Sequence, residues 1–191
     1  MTPPPPDALA FERPADLADW LAENHQGSSE LWVRIFKTGS GQPSVTWTDC
    51  VVEAIRFGWI DGQKRSADET SYLQRLTPRR AGSSWSARNR DHADRLLAEG
   101  RMTAAGLAQV AAARADGRWD AAYAGLAGMT IPQDFLNALA DVPEAEAFFR
   151  TLDRKNLYPI YYRLQTAKRP ETRARRMQQI LDQLARGERF H

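Results

Sequence analysis

The first third of the chain shows a helical stripe followed by a strand-like run. Apolar residues recur at helical spacing behind Pro14, a residue that suits the first turn of a helix, so a helix is predicted over about 14–24. The run ELWVRIFK at 30–37 alternates along its length and is rich in β-branched and aromatic residues. This pattern predicts a strand with one buried face, followed by a turn over 39–44.

The next segment predicts a short helix and then a β-hairpin. Thr48 is a candidate N-cap for a helix whose apolar positions end at Gly58, where glycine allows a left-handed turn. Two strand-like runs follow, over 59–64 and 70–76, and a polar turn separates them. The two strands are therefore expected to pair.

From Ser86 onward the pattern is helical. Ser86 is expected to cap a helix that ends before Gly100, and Thr103 is expected to cap a second helix that runs to about residue 115. The segment 119–130 is rich in Ala and Gly and contains the predicted domain boundary. Prolines near the helix starts then favour four further helices, over about 132–140, 144–152, 156–167 and 171–186.

These elements predict an α+β fold, in which helices cover a small, mainly antiparallel sheet and a helical C-terminal region follows. The predicted domains are a disordered Pro-rich tail over 1–10, an α+β domain over 11–125 that contains the hairpin, and a helical region over 126–191. We expect the third region to pack on the first domain. The apolar fraction of 42% and the charged fraction of 26% are those of a globular protein.

Charge is segregated along the chain although the net charge is only +2. Residues 1–56 carry four Lys/Arg against eight Asp/Glu, and residues 154–191 carry ten against three. The last predicted helix is amphipathic with a basic first half. Its cations form a candidate partner-binding surface of Arg173, Arg175 and Arg176, and nucleic acid is one alternative partner for it.

The chain shows no sign of membrane insertion or export. Its N-terminus lacks a basic start followed by an apolar run, and no stretch approaches the ~20 apolar residues of a membrane span. The single cysteine, Cys50, has no internal partner for a disulfide, which fits a reducing compartment. We therefore expect a cytoplasmic protein in which Cys50 packs as a small apolar residue.

The most unusual stretch is 57–89, which combines three Trp/Tyr rings and several Lys/Arg with turn-forming Gly and Ser. Rings stack on planar ligands, and guanidinium groups bond phosphate or carboxylate oxygens in pairs. The stretch therefore predicts a site for an anionic or aromatic small molecule. Its candidate ligand-binding residues are Trp59, Asp61, Lys64, Arg79, Arg80, Trp85 and Ser86, and all of these except Lys64 and Ser86 are expected to line one cleft.

Each of these residues also has a structural interpretation. Tryptophan in a half-buried strand or at a strand exit is often a core residue, and Asp61 before Gly62 is an ordinary turn signal. Arg79 and Arg80 could instead pair with carboxylates of the same hairpin, at Asp68 or Glu69. The sequence leaves these alternatives open.

Sequence patterns of catalysis and of metal binding are absent. The three histidines have no H-E-x-x-H spacing, and there is no Gly-x-Ser-x-Gly, Walker or Rossmann pattern. We therefore predict binding without catalysis, with no metal and no cofactor. The first alternative is an enzyme of unassigned reaction that uses Asp61 with Arg79 or Arg80. Catalytic residues and oligomeric state are not defined by the sequence.

Several motifs along the chain occur together in one known family. They are GWIDGQKR at 58–65, LTPRR at 76–80, SWS at 84–86 with Asn89, EGRM at 99–102, AGL at 105–107, and AKRPETR at 167–173 with Arg175 and Arg176. By these motifs, in this order, the chain resembles the YdeI/OmpD-associated family, also called the bacteriocin-protection or OmdA-like family. This resemblance implies a protective, stress-related role.

The first half also resembles small bacterial domains of the YdhG type, some of which are described as iron chaperones. Iron binding would need an exposed cluster of oxygen ligands. The acidic residues of this chain are scattered singly, so no iron site is predicted.

Overall fold

The computed structural model describes residues 8–190, and the first seven residues of the tail predicted over 1–10 lie outside them. The described residues confirm the α+β class. They form four strands and eight α-helices: β1 (Leu9–Ala10), α1 (Pro14–Asn24), β2 (Leu31–Phe36), α2 (Trp47–Arg56), β3 (Trp59–Ser66), β4 (Ser71–Pro78), α3 (Ala87–Ala98), α4 (Ala104–Ala115), α5 (Gln133–Ala140), α6 (Pro143–Phe149), α7 (Arg154–Gln165) and α8 (Pro170–Ala185).

Most predicted elements occur close to their predicted bounds, and two details were wrong. Thr46, not Thr48, caps α2, because Thr46 Oγ1 accepts from the Asp49 N–H and the Asp49 carboxylate accepts from the Thr46 N–H. Leu9 and Ala10, assigned to the tail by sequence, form strand β1 beside β2.

The chain divides into two compact units, which we call the first unit, ending at Ala121, and the second unit, beginning at Ala122. The first unit contains the sheet and α1 to α4, and the second contains α5 to α8. The domain boundary predicted at 125/126 stays a prediction.

The sheet has the strand order β1-β2-β4-β3. β1 runs parallel to β2, and the other neighbours are antiparallel. Because side chains alternate between the faces of a sheet, Leu31, Val33 and Ile35 share one face, and these three enter the core with Leu17 and Leu21 of α1. The β3–β4 register shifts between Asp61 and Lys64, as at a β-bulge.

Two glycines allow α4 to approach the end of α2 closely. Gly58 has φ +75°, a left-handed conformation that disfavours side chains. A Cβ at Gly106 would lie 2.4 Å from the Arg56 carbonyl oxygen. Thr103 Oγ1 donates to that same carbonyl oxygen at 2.7 Å and also caps α4, as predicted.

The second unit is helical and has its own apolar core. Three of its helices begin at a proline, with Pro132 as the N-cap of α5 and Pro143 and Pro170 as the first residues of α6 and α8. The Arg154 guanidinium donates to the carbonyl oxygens of three residues between 126 and 129. The core includes Phe135, Leu139, Ile160, Leu164, Ile180 and Leu184.

Candidate functional site: an aromatic cavity at the end of β2

A cavity of about 530 Å³ lies in the first unit, where β2 ends and α2 begins. Its walls come from the end of β2, the following loop, the first residues of α2 and the start of β4. This volume falls in the range of small-molecule sites. The lining residues are Ile35, Phe36, Lys37, Thr38, Gln42, Ser44, Val45, Thr46, Trp47 and Tyr72.

Two half-buried aromatic side chains of this wall, Trp47 and Tyr72, pack against the apolar core, so the core supports both rings. A cation accompanies each ring. The Lys64 Nζ lies 4.0 Å from the Tyr72 ring centroid, and the Arg88 Cζ lies 5.5 Å from the centroid of Trp47. A cation over an aromatic face is attracted by the ring quadrupole. Each of the two aromatic side chains of the wall therefore has a cation next to it.

Lys37 places a third cation on the cavity wall. Its ammonium group donates one hydrogen bond to the Glu69 carbonyl oxygen at 2.8 Å. An ammonium group has three N–H donors, so this bond fixes the side chain and leaves donors for an anionic ligand. The polar side chains of Thr38, Gln42 and Ser44 supply further hydrogen-bonding groups on the same wall.

Asp61 connects the hairpin to this site. Its Oδ2 accepts a hydrogen bond from the Trp47 Nε1 at 3.3 Å and thereby helps to orient the indole ring. Burial raises the pKa of the nearby Cys50 thiol to about 12, and the charges of Asp49 and Asp61 act in the same direction. Cys50 is thus a protonated core residue at neutral pH, as expected for an inert thiol.

The N-terminus of α2 has its own carboxylate. Asp49 accepts hydrogen bonds from the backbone N–H and the hydroxyl of Thr46, at 2.8 Å and 2.7 Å. This carboxylate already complements the positive end of the helix dipole and would repel a second anion there. The anionic part of a ligand is therefore better placed at Lys37 than at the helix terminus.

Trp59 is a core residue. It is 1% exposed, it lies edge-on to Trp20 of α1 with centroids 6.3 Å apart, and its Nε1 donates to the His25 carbonyl oxygen. No face of the ring is available to a ligand. The structural interpretation of this tryptophan therefore replaces the stacking role expected from sequence.

Arg79 and Trp85 form a separate cluster after β4. The Arg79 Cζ lies 3.7 Å from the Trp85 ring centroid, and the Arg79 Nη1 donates to the Ser84 carbonyl oxygen. Trp85 in turn packs on Trp119, and its exposure is 1%, with Arg79 at 5%. Because Trp59 and Trp85 are both buried, the structure does not place them in an open cleft with Asp61, whose carboxylate bonds Trp47.

The remaining candidates of the hairpin region have simple positions. Ser86 caps α3 by accepting from the Asn89 N–H, as predicted. Arg80 is exposed. Asp68 was an alternative partner for Arg79 or Arg80. Its carboxylate instead lies 3.5 Å from Arg34 and accepts hydrogen bonds from Thr70 and Ser71. Of the predicted ligand-binding residues, Asp61 and Lys64 are thus the two that contact the cavity's rings.

The three C-terminal arginines differ from one another. Arg173 forms a bidentate ion pair with Asp134, and this pairing lowers the pKa of the Asp134 carboxyl. Arg176 donates to the Arg163 carbonyl oxygen at 2.7 Å, and Arg175 is exposed. Two of the three therefore bond to other helices of the second unit.

Sequence reasoning missed Lys37 and Trp47 as site residues. The sequence pattern predicts a simple turn over 39–44 and an N-cap for α2 at Thr48. With the cap at Thr48, Trp47 lies outside the predicted helix. A polar loop between a strand and a capped helix, with an aromatic residue in the first helical turn, is the signal that could have found the cavity.

Two further features of the described residues concern metal binding and membranes. Between residues 8 and 190 there is no group of three or more His, Cys, Asp or Glu that could hold a metal ion. Within the same range, none of the helices has the length and apolar character needed to span a bilayer.

The fold and site define an α+β domain with an aromatic cavity, joined to a helical domain. Residues 9–109 match the family model of a domain of unknown function, DUF8412, and since this match spans more than half of the 191 residues, the chain belongs to that family. Residues 128–187 match the family described as Bacteriocin-protection, YdeI or OmpD-Associated.

The second match confirms the predicted family resemblance, and it rests on the helical unit. The motifs quoted from residues 58–107 fall within the first match instead. Comparisons with the curated proteins and with the solved structures found no match.

Proposed function

We propose that the first unit binds a small ligand that carries both an aromatic ring and an anionic group, and that it does so without catalysis. The observation that carries this proposal is the cavity in which Trp47 and Tyr72 line the wall together with Lys37. Lys64 and Arg88 add positive charge over the two rings.

A binding role is favoured over an enzymatic one by the partners of the polar groups. The Asp61 carboxylate accepts from the Trp47 indole, and the Arg79 guanidinium stacks on Trp85. An acid–base pair would need these two groups at the same reacting atom. The high pKa of Cys50 also argues against a thiolate nucleophile.

The physiological role is part of the same proposal. The family described as bacteriocin-protection supports a protective, stress-related role, in which the chain would sequester or sense an aromatic anion in the cytoplasm. The single buried cysteine fits a reducing compartment.

Calorimetric titration with three probes tests this proposal. Benzoate has a ring and a carboxylate, benzamide has the ring without the charge, and acetate has the charge without the ring. We expect saturable binding of benzoate and much weaker binding of the other two. Benzamide binding as tightly as benzoate would contradict the anionic part, and acetate binding as tightly would contradict the aromatic part.

A substitution of Lys37 locates the binding. Lys37→Gln should weaken benzoate binding by about 1.5–3 kcal/mol, the scale of a hydrogen bond to a charged group, which is roughly 10-fold to 150-fold in Kd. Lys155→Gln is the matched control, because it removes an exposed lysine from the second unit. Equal affinities of the two variants would place the ligand elsewhere.

A further inference from the structure

The sheet has a second face, opposite the face that packs against α1 and α2. Because side chains alternate along a strand, this face carries the residues between the core positions of β2 and β4. None of them belongs to the core cluster that the sheet forms with α1 and α2. We define the open face by Trp32, Arg34, Ile60, Arg65, Leu73 and Arg75.

Three arginines surround the apolar centre of the open face. Arg34 and Arg65 flank Leu73 on the two neighbouring strands, and Arg75 lies opposite Trp32 in the adjacent row. Leu73 is 0% exposed and Trp32 is 7% exposed, so the arginines are more accessible than the apolar centre. All three arginines are half-buried.

The Arg65 guanidinium lies over the Trp32 ring, with its Cζ 4.8 Å from the ring centroid, and it also donates to the Gln63 side chain. These contacts hold the planar guanidinium group beside the indole ring. Bases of single-stranded nucleic acid stack on guanidinium planes as well as on aromatic rings. The position of Arg65 is therefore suited to stacking with a base.

The other two arginines have carboxylate partners that a phosphate can replace. Arg34 lies 3.5 Å from Asp68, and Arg75 lies 2.6 Å from Glu30. All four side chains of these two pairs are more than a third exposed to solvent, so the ion pairs are weak. Guanidinium groups on neighbouring strands can then contact successive phosphates.

We propose that the open face binds single-stranded nucleic acid without sequence preference, with Arg65 as the stacking residue and Arg34 and Arg75 as phosphate contacts. This surface contains no residue that we place in the cavity. It is also different from the C-terminal arginines to which the sequence pointed for nucleic acid.

Fluorescence anisotropy with labelled dT20 tests the proposal. The full chain should bind dT20 with a Kd that rises steeply with salt, because each phosphate contact contributes about −0.7 to the log–log slope for single strands. The variant Arg34→Gln/Arg65→Gln/Arg75→Gln should weaken binding at least tenfold and, because two phosphate contacts are lost, reduce the magnitude of the slope by about 1.4.

The matched control is Arg13→Gln/Arg150→Gln/Arg186→Gln, which removes the same charge at exposed positions off the sheet. It should bind dT20 like the unchanged chain. No salt-dependent binding by the unchanged chain, or equal losses in the two triple variants, would overturn the proposal. Equally tight binding of heparin would overturn its assignment to nucleic acid.

A second measurement keeps the test decisive if the triple variant unfolds. Ultraviolet cross-linking of the unchanged chain to a 4-thiothymidine oligonucleotide, followed by mass spectrometry, should label β2, β3 and β4. Labelling confined to α8 would instead favour the C-terminal surface and overturn the proposal. Saturating benzoate should leave dT20 binding unchanged, which separates this surface from the cavity.

Discussion

Contacts between cations and aromatic rings occur mainly in the first unit, although both units also contain ion pairs. In the first unit, Lys64, Arg65, Arg79 and Arg88 each lie over an aromatic ring. In the second unit, most arginines with defined contacts bond to backbone carbonyls or carboxylates, as Arg154, Arg173 and Arg176 do, although Arg163 lies over Phe190. Charge density along the sequence therefore does not indicate where a ligand binds.

The role of a cation therefore depends on its contacts in the folded chain more than on how many other cations lie near it in the sequence. The C-terminal segment has the larger excess of cations, yet two of its three candidate arginines connect helices within the second unit. In the first unit, Lys37 lines the cavity, and Arg34, Arg65 and Arg75 lie on the open sheet face.

The largest effect is expected for Trp85→Ala. Because Trp85 is 1% exposed and packs on Trp119 and Arg79, its removal should lower the free energy of unfolding by about 3–5 kcal/mol. Urea denaturation measures this loss. The exposed neighbour Arg80 gives the control, since Arg80→Ala should change it by less than about 0.5 kcal/mol. A loss below 1 kcal/mol for Trp85→Ala would contradict this structural role and make Trp85 again a candidate ligand-binding residue.

Glu53 provides the next test, because it is a buried carboxylate held by two arginines. It is 3% exposed and pairs with Arg56 at 3.1 Å and with Arg101 at 3.2 Å. Glu53→Gln keeps the shape but removes the charge, and we expect a loss of about 1.5–3 kcal/mol in chemical denaturation. Glu99→Gln, at a surface carboxylate that also pairs with Arg101, should cost less than about 1 kcal/mol. Similar losses in the two variants would show that burial of Glu53 contributes nothing.

A smaller effect separates the three C-terminal arginines. Arg173→Gln breaks a partly exposed ion pair with Asp134 and should cost about 0.2–1 kcal/mol in thermal denaturation. Arg175→Gln should be neutral within about 0.5 kcal/mol, since Arg175 is exposed. If Arg175→Gln proves the more destabilising of the two, the assignment of Arg173 as the structural residue is wrong.

The smallest effect concerns the turn of the hairpin. Hydrogen bonds from Ser71 and Thr70 lower the pKa of Asp68 to about 2 from its ordinary value near 3.8. A carboxyl with a depressed pKa stabilises the fold above the unfolded pKa and loses that contribution as the pH falls through the folded pKa. The Tm difference between the unchanged chain and Asp68→Asn should therefore be constant above pH 4 and shrink between pH 4 and pH 2. A difference that does not change with pH would contradict this account.

The sequence was sufficient to predict elements whose signals are local. Pro14, Ser86 and Thr103 mark helix starts through their own backbone chemistry, and each begins or caps a helix as expected. The hairpin also followed from its alternation and its polar turn. These features depend on neighbours a few residues away, so no tertiary information was needed.

The site depended on contacts that a sequence does not show. In the sequence, Trp47 and Trp59 each precede an aspartate by two residues. In the structure, Trp59 packs against Trp20 of α1, and Trp47 lines the cavity. Arg79 was expected at an anion site because of its neighbours Pro78 and Arg80, whereas its guanidinium stacks on Trp85. Which face of a ring is covered depends on tertiary packing. For this reason the structure places the candidate site at the end of β2, whereas the sequence predicts it at the exit of the hairpin.

The central claim, that the cavity beside Trp47 binds an aromatic anion, is tested most directly by NMR of protein labelled with 15N at tryptophan. The chain has six tryptophans, so the indole N–H signals can be assigned by substitution. Titration with benzoate should shift the Trp47 signal saturably, because its N–H bonds Asp61 at the cavity wall. The signals of the buried Trp59 and Trp85 should stay in place, and benzamide should have little effect on any signal. Saturable shifts confined to tryptophans other than Trp47, or no shifts at all, would contradict the account.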